Sequence, residues 1–174
     1  MRVLFPFAHP EEENLGVMYL AAQLRAAGHR PQLVRADEEL LCRRLADGEP
    51  TVLAYSTLAF NARHYLALNR RVRARRRAFS VFGGHFPTAA PGRVMDHDDV
   101  DAVCIGEGEL PLQELADGLQ AGRDVGRIAG LWVRGPEGEV TRNPLRPPLQ
   151  DLDRLPFPDR TLVPLRAPFF QERL

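Results

Sequence analysis

Three short stretches combine residue types that grip a ligand: Ser56-Thr57-Leu58, Gly83-Gly84-His85 followed by Thr88, and Gly106-Glu107-Gly108-Glu109. Each comes directly after an apolar run. Glycine lets a chain bend sharply and lets a bulky ligand approach the backbone, while hydroxyls and N–H groups hold the ligand's polar edge. The chemistry this suits is binding and orientation. Glu107 and Glu109 do not read as a paired catalytic acid and base, because no other charged residue converges on them in sequence. A plainer reading stays open at each position. The glycines close tight strand-to-loop turns, Ser56 and Thr88 cap helices or form turns, and the two glutamates complement the positive end of a helix dipole.

Other chemistries are disfavoured by what is missing. Cys42 and Cys104 stand far apart, lack metal-ligand spacing and read as buried free thiols in a reducing cytoplasm. His29, His64 and His97 share no metal-ligand spacing either and read as surface residues. No Walker-type loop and no GxGxxG opens a helix after the first apolar run, which argues against nucleoside triphosphates and dinucleotides. The stretch there, PEEEN (10–14), is acidic and repels the phosphate of a flavin mononucleotide. Arg70, Arg71, Arg73, Arg75, Arg76 and Arg77 form a basic run without interleaved aromatics. A helix C-terminus favours such charge, so the run reads as a solvated or docking face and not as a nucleic-acid site.

The elements that must position these residues alternate regularly. Val3-Leu4-Phe5, 31–34, 51–55, 79–82 and 102–105 are short apolar runs without sustained polar alternation, as expected of parallel strands buried on both faces. Between them lie helical stretches at 15–27, ended by Gly28, at 37–46, opened by Asp37, and at 61–77. Pro31 places its strand at or beside an edge. The pattern predicts a doubly wound, flavodoxin-like α/β fold with a five-stranded parallel sheet, whose ligands bind beyond the carboxyl ends of the strands. After Gly122 the pattern changes. Two short strands at 130–134 and 139–142 flank Gly135-Pro136-Glu137-Gly138, a hairpin signal. Seven prolines between Pro144 and Pro168 then forbid regular structure and predict an extended linker, anchored by Leu149, Leu152, Leu155 and Phe157 and mobile beyond about Pro158. Phe169 and Phe170 have no element to bury them, as expected of a chain that ends just before its next domain. The expected divisions are 1–122, 123–143 and 144–174.

Composition sets few further limits. With 44% hydrophobic and 26% charged residues the chain is ordinary for a globular protein, and zero formal net charge gives no whole-chain field to recruit nucleic acid or membrane. All 23 basic residues are arginine, which we read as a compositional bias. No stretch approaches transmembrane length, and the run after Met1-Arg2 is too short to read as a signal peptide.

GGHFPT (83–88), DAVCIGEGE (101–109) and LPFPDR (155–160) together resemble the N-terminal cobalamin-binding domain of cobalamin-dependent radical SAM enzymes. The resemblance covers nearly the whole chain. It implies that cobalamin is held by Glu13, Asn14, Leu15 and Gly16, by Ser56, Thr57 and Leu58, by Gly83, Gly84, His85 and Thr88, and by Gly106, Glu107 and Gly108. Ser56 would bond the buried nucleotide tail, and the glycines would line its slot. Related domains carry DxHxxG after the first strand. Here Glu11 stands in place of the aspartate and Glu13 in place of the cobalt-ligating histidine, so the implied state is base-off without a histidine ligand. His9 is a loop histidine close enough in sequence to substitute. The implied partner is a radical SAM barrel that would carry the [4Fe–4S] cluster and S-adenosylmethionine, most commonly for methyl transfer to an unactivated carbon. A CxxxCxxC cluster motif is absent from this chain, so no radical step is expected of it alone. The departure at 11–16 keeps a second reading open, a degenerate cofactor-free domain that docks or gates substrate.

Overall fold

The computed structural model describes residues 1–163. Seven strands form one sheet in the order β2-β1-β3-β4-β5-β6-β7. They are β1 (Arg2–Phe7), β2 (Arg30–Arg35), β3 (Thr51–Ser56), β4 (Phe79–Gly83), β5 (Ala102–Cys104), β6 (Leu131–Arg134) and β7 (Val140–Arg142). The first five run parallel in the flavodoxin-like order, and the hairpin β6–β7 joins them antiparallel, Val103 opposite Trp132. The expected five-stranded parallel sheet is therefore the main part of a larger mixed one. Pro31 lies on the edge strand β2, where its missing N–H costs no ladder bond. At the other edge the Arg142 guanidinium stacks 4.8 Å from the Trp132 ring centroid.

Alternation along the strands divides the core in two. Val3, Phe5, Val52, Ala54, Val81, Ala102 and Cys104 point to one face, which α1 (Leu15–Ala26) and α6 (Glu109–Gln120) cover. Leu4, Leu53, Tyr55, Phe82 and Val103 point to the other, under α2 (Glu38–Arg44), α3 (Ala62–Arg75) and α5 (Pro91–Met95). A run that reads as continuously apolar is thus two alternating sets, each buried by its own helices. The short α4 (His85–Ala89) follows β4 directly. Asn14 and Asp37 cap α1 and α2, accepting from the backbone N–H of Val17 and Leu40.

Three arginines of the run, Arg71, Arg73 and Arg75, are paired with carboxylates. Arg71 and Arg75 bond Glu38 at 2.8 and 3.0 Å, Arg75 also reaches Glu39, and Arg73 grips Asp101 through two bonds of 2.6 and 3.0 Å. These pairs join α3 to α2 and to the start of β5.

Two expectations are corrected. His29 is not a surface residue: its side chain is 1% exposed and its Nε2 lies 3.0 Å from Asp117 of α6. The Pro-rich segment is fastened differently than expected: of the expected anchors Leu149 and Leu155 are half-buried, but the stretch beyond Pro158, expected to be mobile, is docked as far as Val163. Leu152 and Phe157 are 69% and 95% exposed, whereas Leu162 and Val163 are buried at 8% and 4%. The Asp159 N–H donates to Met18 O at 3.0 Å, and the Asp159 carboxylate pairs with Arg25. Two short 3-10 turns, Leu152–Arg154 and Arg160–Leu162, form where Asp151 and Asp159 accept from the backbone two residues on. Pro164, Pro168, Phe169 and Phe170 lie outside the described residues.

Candidate functional site

A cleft of about 1030 Å³ opens at the carboxyl ends of β1, β3, β4 and β5. Its floor is on the α1/α6 face of the sheet, where Phe5, Ala54, Val81 and Cys104 meet Leu20 of α1 and Leu112 of α6. Small residues make the space. Ala54, Gly83 and Cys104 stand where larger strand residues would fill it. A Cβ built on Gly83 meets only Cys104 Cβ, at 3.6 Å, and points no backbone into a clash. At Gly108, a Cβ would lie 3.1 Å from Leu20, so this glycine lets the start of α6 approach α1 closely.

The three stretches singled out in the sequence prove to be one assembly. Ser56 pairs with Gly83 across β3 and β4. The Thr57 N–H and Oγ1 both donate to Gly83 O, at 2.8 and 3.2 Å, and the Phe86 N–H donates to Thr57 O at 3.2 Å. Gly84 follows with φ +99°, and a Cβ there would stand 2.7 Å from Thr57 O. No side chain fits that turn. Thr88 Oγ1 accepts from the Gly106 N–H at 3.1 Å, which ties the second stretch to the third. Of the open readings for Thr88, this geometry supports the bond to its own neighbouring loop.

Of the residues that the resemblance named, Asn14, Gly16, Ser56, Leu58, Gly83, Gly84, His85, Thr88, Gly106, Glu107 and Gly108 line the cleft. Thr57 is 1% exposed and acts behind the wall as the lock between turns. Glu13 and Leu15 stand outside the lining: Glu13 accepts from Arg160 at 3.2 Å and Leu15 is 54% exposed. They flank the Asn14 cap, one on each side, and neither side chain enters the cleft. His9 and His64 line the cleft with His85, so His64 borders the site, although it is exposed as expected. Sequence reasoning missed the apolar lining, Phe5, Leu20, Ala54, Val81, Cys104 and Leu112, together with Phe60 and Tyr65 at the mouth. Such residues look like core. The one signal available was Ala54, a small residue at the centre of a strand run.

The electrostatics are distinctive. Among the described residues no arginine lines the cleft, although the chain has 23 basic residues. Burial holds the Glu109 carboxyl above its ordinary pKa, with Glu107 adding repulsion. Burial likewise pushes the Cys104 thiol up to about 12, with Glu109 and Glu107 contributing, so it is a neutral wall atom. Tyr65 accepts from the Ala8 N–H at 3.2 Å, and burial raises its phenol. Such a cleft suits a large ligand with an apolar body, amide donors at its edge and little negative charge.

The family model of the B12 binding domain matches residues 2–116, the whole parallel sheet and most of α6. The chain belongs to this family. Within this B12-binding domain the match covers all three stretches at the strand ends, the whole of α1 and most of α6. Among curated proteins, the chain is 29% identical over 159 residues to an uncharacterised methyltransferase of Pyrococcus horikoshii, covering 87% of this chain and 34% of that one. It is 26% identical to the anaerobic magnesium-protoporphyrin IX monomethyl ester cyclase of Rubrivivax gelatinosus, covering 89% and 32%. The chain therefore spans about a third of the length of these relatives. Among solved structures, the cobalamin-dependent S-adenosylmethionine radical enzyme OxsB, with aqua-cobalamin and S-adenosylmethionine bound, superposes with TM-score 0.72 at 16% identity, over 91% of this chain and 24% of that one. The radical S-adenosylmethionine methyltransferase TsrM of Kitasatospora setae, with cobalamin and a [4Fe–4S] cluster bound, gives 0.68 at 21% identity, over 82% and 30%. At these identities the two likenesses speak for the fold. No helix of the described residues is long and apolar enough to cross a membrane.

Proposed function

We propose that this domain binds cobalamin base-off and presents it to a radical SAM barrel, for methyl transfer to an unactivated carbon. The observation that carries the reading is the glycine-floored cleft built by the interlocked Ser56–Leu58 and Gly83–Thr88 turns, in a chain of the B12-binding family. The lining fits the group. Ala54, Gly83 and Cys104 leave a slot for a nucleotide tail between the sheet and α1/α6, and Ser56 offers a hydroxyl at its mouth. The N-termini of α1, α3 and α6 supply N–H groups for one phosphate without any arginine. Glu12, Glu107 and Glu109 suit the amide donors around a corrin. When bound, cobalamin supplies methyl-transfer chemistry at its cobalt, and the protein supplies binding and orientation. Relatives and structural neighbours about three times longer, among them enzymes described as radical S-adenosylmethionine proteins, support a catalytic barrel as partner.

Titration with hydroxocobalamin, followed by visible absorption, tests the reading. Saturable one-to-one binding is expected. The Co(II) form should show no axial nitrogen splitting in electron paramagnetic resonance, because a glutamate stands at the ligand position and points away from the cleft. Nitrogen splitting that disappears in His9→Ala would make His9 the lower ligand. The second reading, a cofactor-free docking module, is favoured by the outward Glu13. Absence of any spectral change on titration would establish it.

A further inference from the structure

We propose that Phe60 is a binding residue for the corrin body of cobalamin, its ring laid against the macrocycle at the mouth of the cleft. The inference rests on the cobalamin reading above and extends it to the part of the ligand that stays outside the tail slot. Among the described residues six large apolar side chains are exposed, and of these only Leu58 and Phe60 line the cleft. Leu15, Leu145, Leu152 and Phe157 lie outside its lining. Phe60 is 84% exposed. The turn that carries it is tied down at each end. Thr57 bonds Gly83 O through its N–H and its hydroxyl, and the Leu58 N–H donates to Asn61 Oδ1 at 2.8 Å. The Asn61 and Ala62 N–H groups donate back to Leu58 O, at 3.2 and 3.0 Å. Residues 58–61 are thus closed on themselves at the start of α3, and Phe60 stands out from a held turn.

The cleft has two parts with different linings. On the α1/α6 face, Ala54, Val81 and Cys104 leave the space assigned to the nucleotide tail. Toward α3 the lining is Leu58, Phe60, Asn61, His64 and Tyr65. A ligand anchored by its tail in the first part keeps its body at the strand ends, bordered by the second. A corrin is a broad ring with methyl groups on its rim and is polar mainly through its amide side chains. Glu12, Glu107 and Glu109 suit those amides but offer the ring nothing. Tyr65 is 3% exposed and its hydroxyl accepts from the Ala8 N–H, so its ring belongs to the core. Phe60 is then the large apolar side chain of the lining with most of its surface uncovered. Laying a corrin on it removes apolar surface from water on both partners, and the held turn lowers the cost of ordering the ring. A protein partner seated on the same turn is the competing occupant, and it would not require a filled cleft.

The test is spectroscopic titration of this chain with cobalamin and with cobinamide, which has the corrin but no nucleotide tail. Wild type should bind both. Phe60→Ala should weaken both by the same factor, about tenfold, as expected from losing about 60 Å² of covered apolar surface. Its melting temperature should stay at the wild-type value, because a ring 84% exposed adds little to the core. Phe60→Tyr keeps the ring and should hold both affinities within about threefold, which separates the aromatic contact from the course of the turn. Unchanged binding of both corrinoids by Phe60→Ala overturns the inference and leaves the ring to a protein partner. A loss for cobalamin alone overturns it too, because the contact would then be to the tail. An equal loss in Phe60→Tyr does the same, since the turn and not the ring would be at work. If wild type binds neither corrinoid, the cobalamin reading fails and the inference with it.

Discussion

Two adjacent glycines in this protein look interchangeable in sequence and have different jobs. Gly83 has ordinary strand geometry, and a side chain added there would project into the cleft past Cys104. Gly84 has φ +99°, with Thr57 O in the way of any Cβ. Gly83→Leu should therefore abolish cobalamin binding with little change in melting temperature. Gly84→Leu should instead destabilise the fold by about 1–3 kcal/mol or more, because a strained φ and a backbone clash add. Melting curves beside titrations check both, and a Gly83→Leu variant that binds normally would remove the slot. Glu109 makes a pH prediction of defined sign. Its folded pKa is raised above the ordinary 4.5, so the folded state binds the proton more tightly than the unfolded chain does. Its contribution to stability is fully present below about 4.5 and is lost as pH rises through the folded value. Glu109→Gln should thus gain on wild type towards neutral pH and lose that advantage in acid. Denaturant midpoints at pH 4 and pH 7 would show a constant difference if the carboxyl were unperturbed.

At the scale of elements, the segment after β7 is a strap fastened at two places. Near its start, Asn143 bonds the carbonyls of Gly126 and Leu131, Pro144 O accepts from the Gly130 N–H, and Arg146 pairs with Glu114 of α6. Near its described end, Asp159 and Leu162 dock on α1 and β2. Between them Leu152 and Phe157 are exposed. Hydrogen exchange should reflect this: the Asp159 amide, bonded to Met18 O, is protected, while the amides at 149–157 exchange quickly. Fast exchange at Asp159 would show that the second fastening does not hold in solution. An Asp159→Ala variant, which loses the bonds to Thr161 and the pairing with Arg25, should expose the Asp159–Val163 end without melting the sheet.

The whole molecule is a B12-binding domain of roughly a third the length of its curated relatives, with a cofactor cleft at one end of its sheet. At the opposite end of the sheet, Arg2 joins Asp47 and Thr51, and Arg73 joins Asp101. A [4Fe–4S] cluster of the radical SAM kind takes three cysteines from one loop, and this chain has two, buried on opposite faces of the sheet. Anaerobic incubation with iron and sulfide should therefore produce no cluster absorbance, and S-adenosylmethionine should stay uncleaved even with cobalamin bound. Cluster formation on this chain would overturn the proposed division of labour with a radical SAM barrel.

The sequence by itself determined the alternation of strand and helix, the edge position of β2 and the three turns at the strand ends. These depend on local properties: apolar runs, the fixed φ of proline and the freedom of glycine. It also pointed to the loop residues of the cleft, because loops at the carboxyl ends of parallel strands converge by topology. Tertiary structure alone decided which side of each strand became the slot, since an apolar run does not say which of its residues meets which helix. Ala54, Val81 and Cys104 belong to the site only because β3, β4 and β5 are aligned so that their small side chains share a face. His29 is buried because α6 carries Asp117 to it across 88 residues of chain. Glu13 is turned away by the cap of α1, one residue later. Composition and spacing give a residue's chemistry, but its burial depends on neighbours that only the folded chain brings.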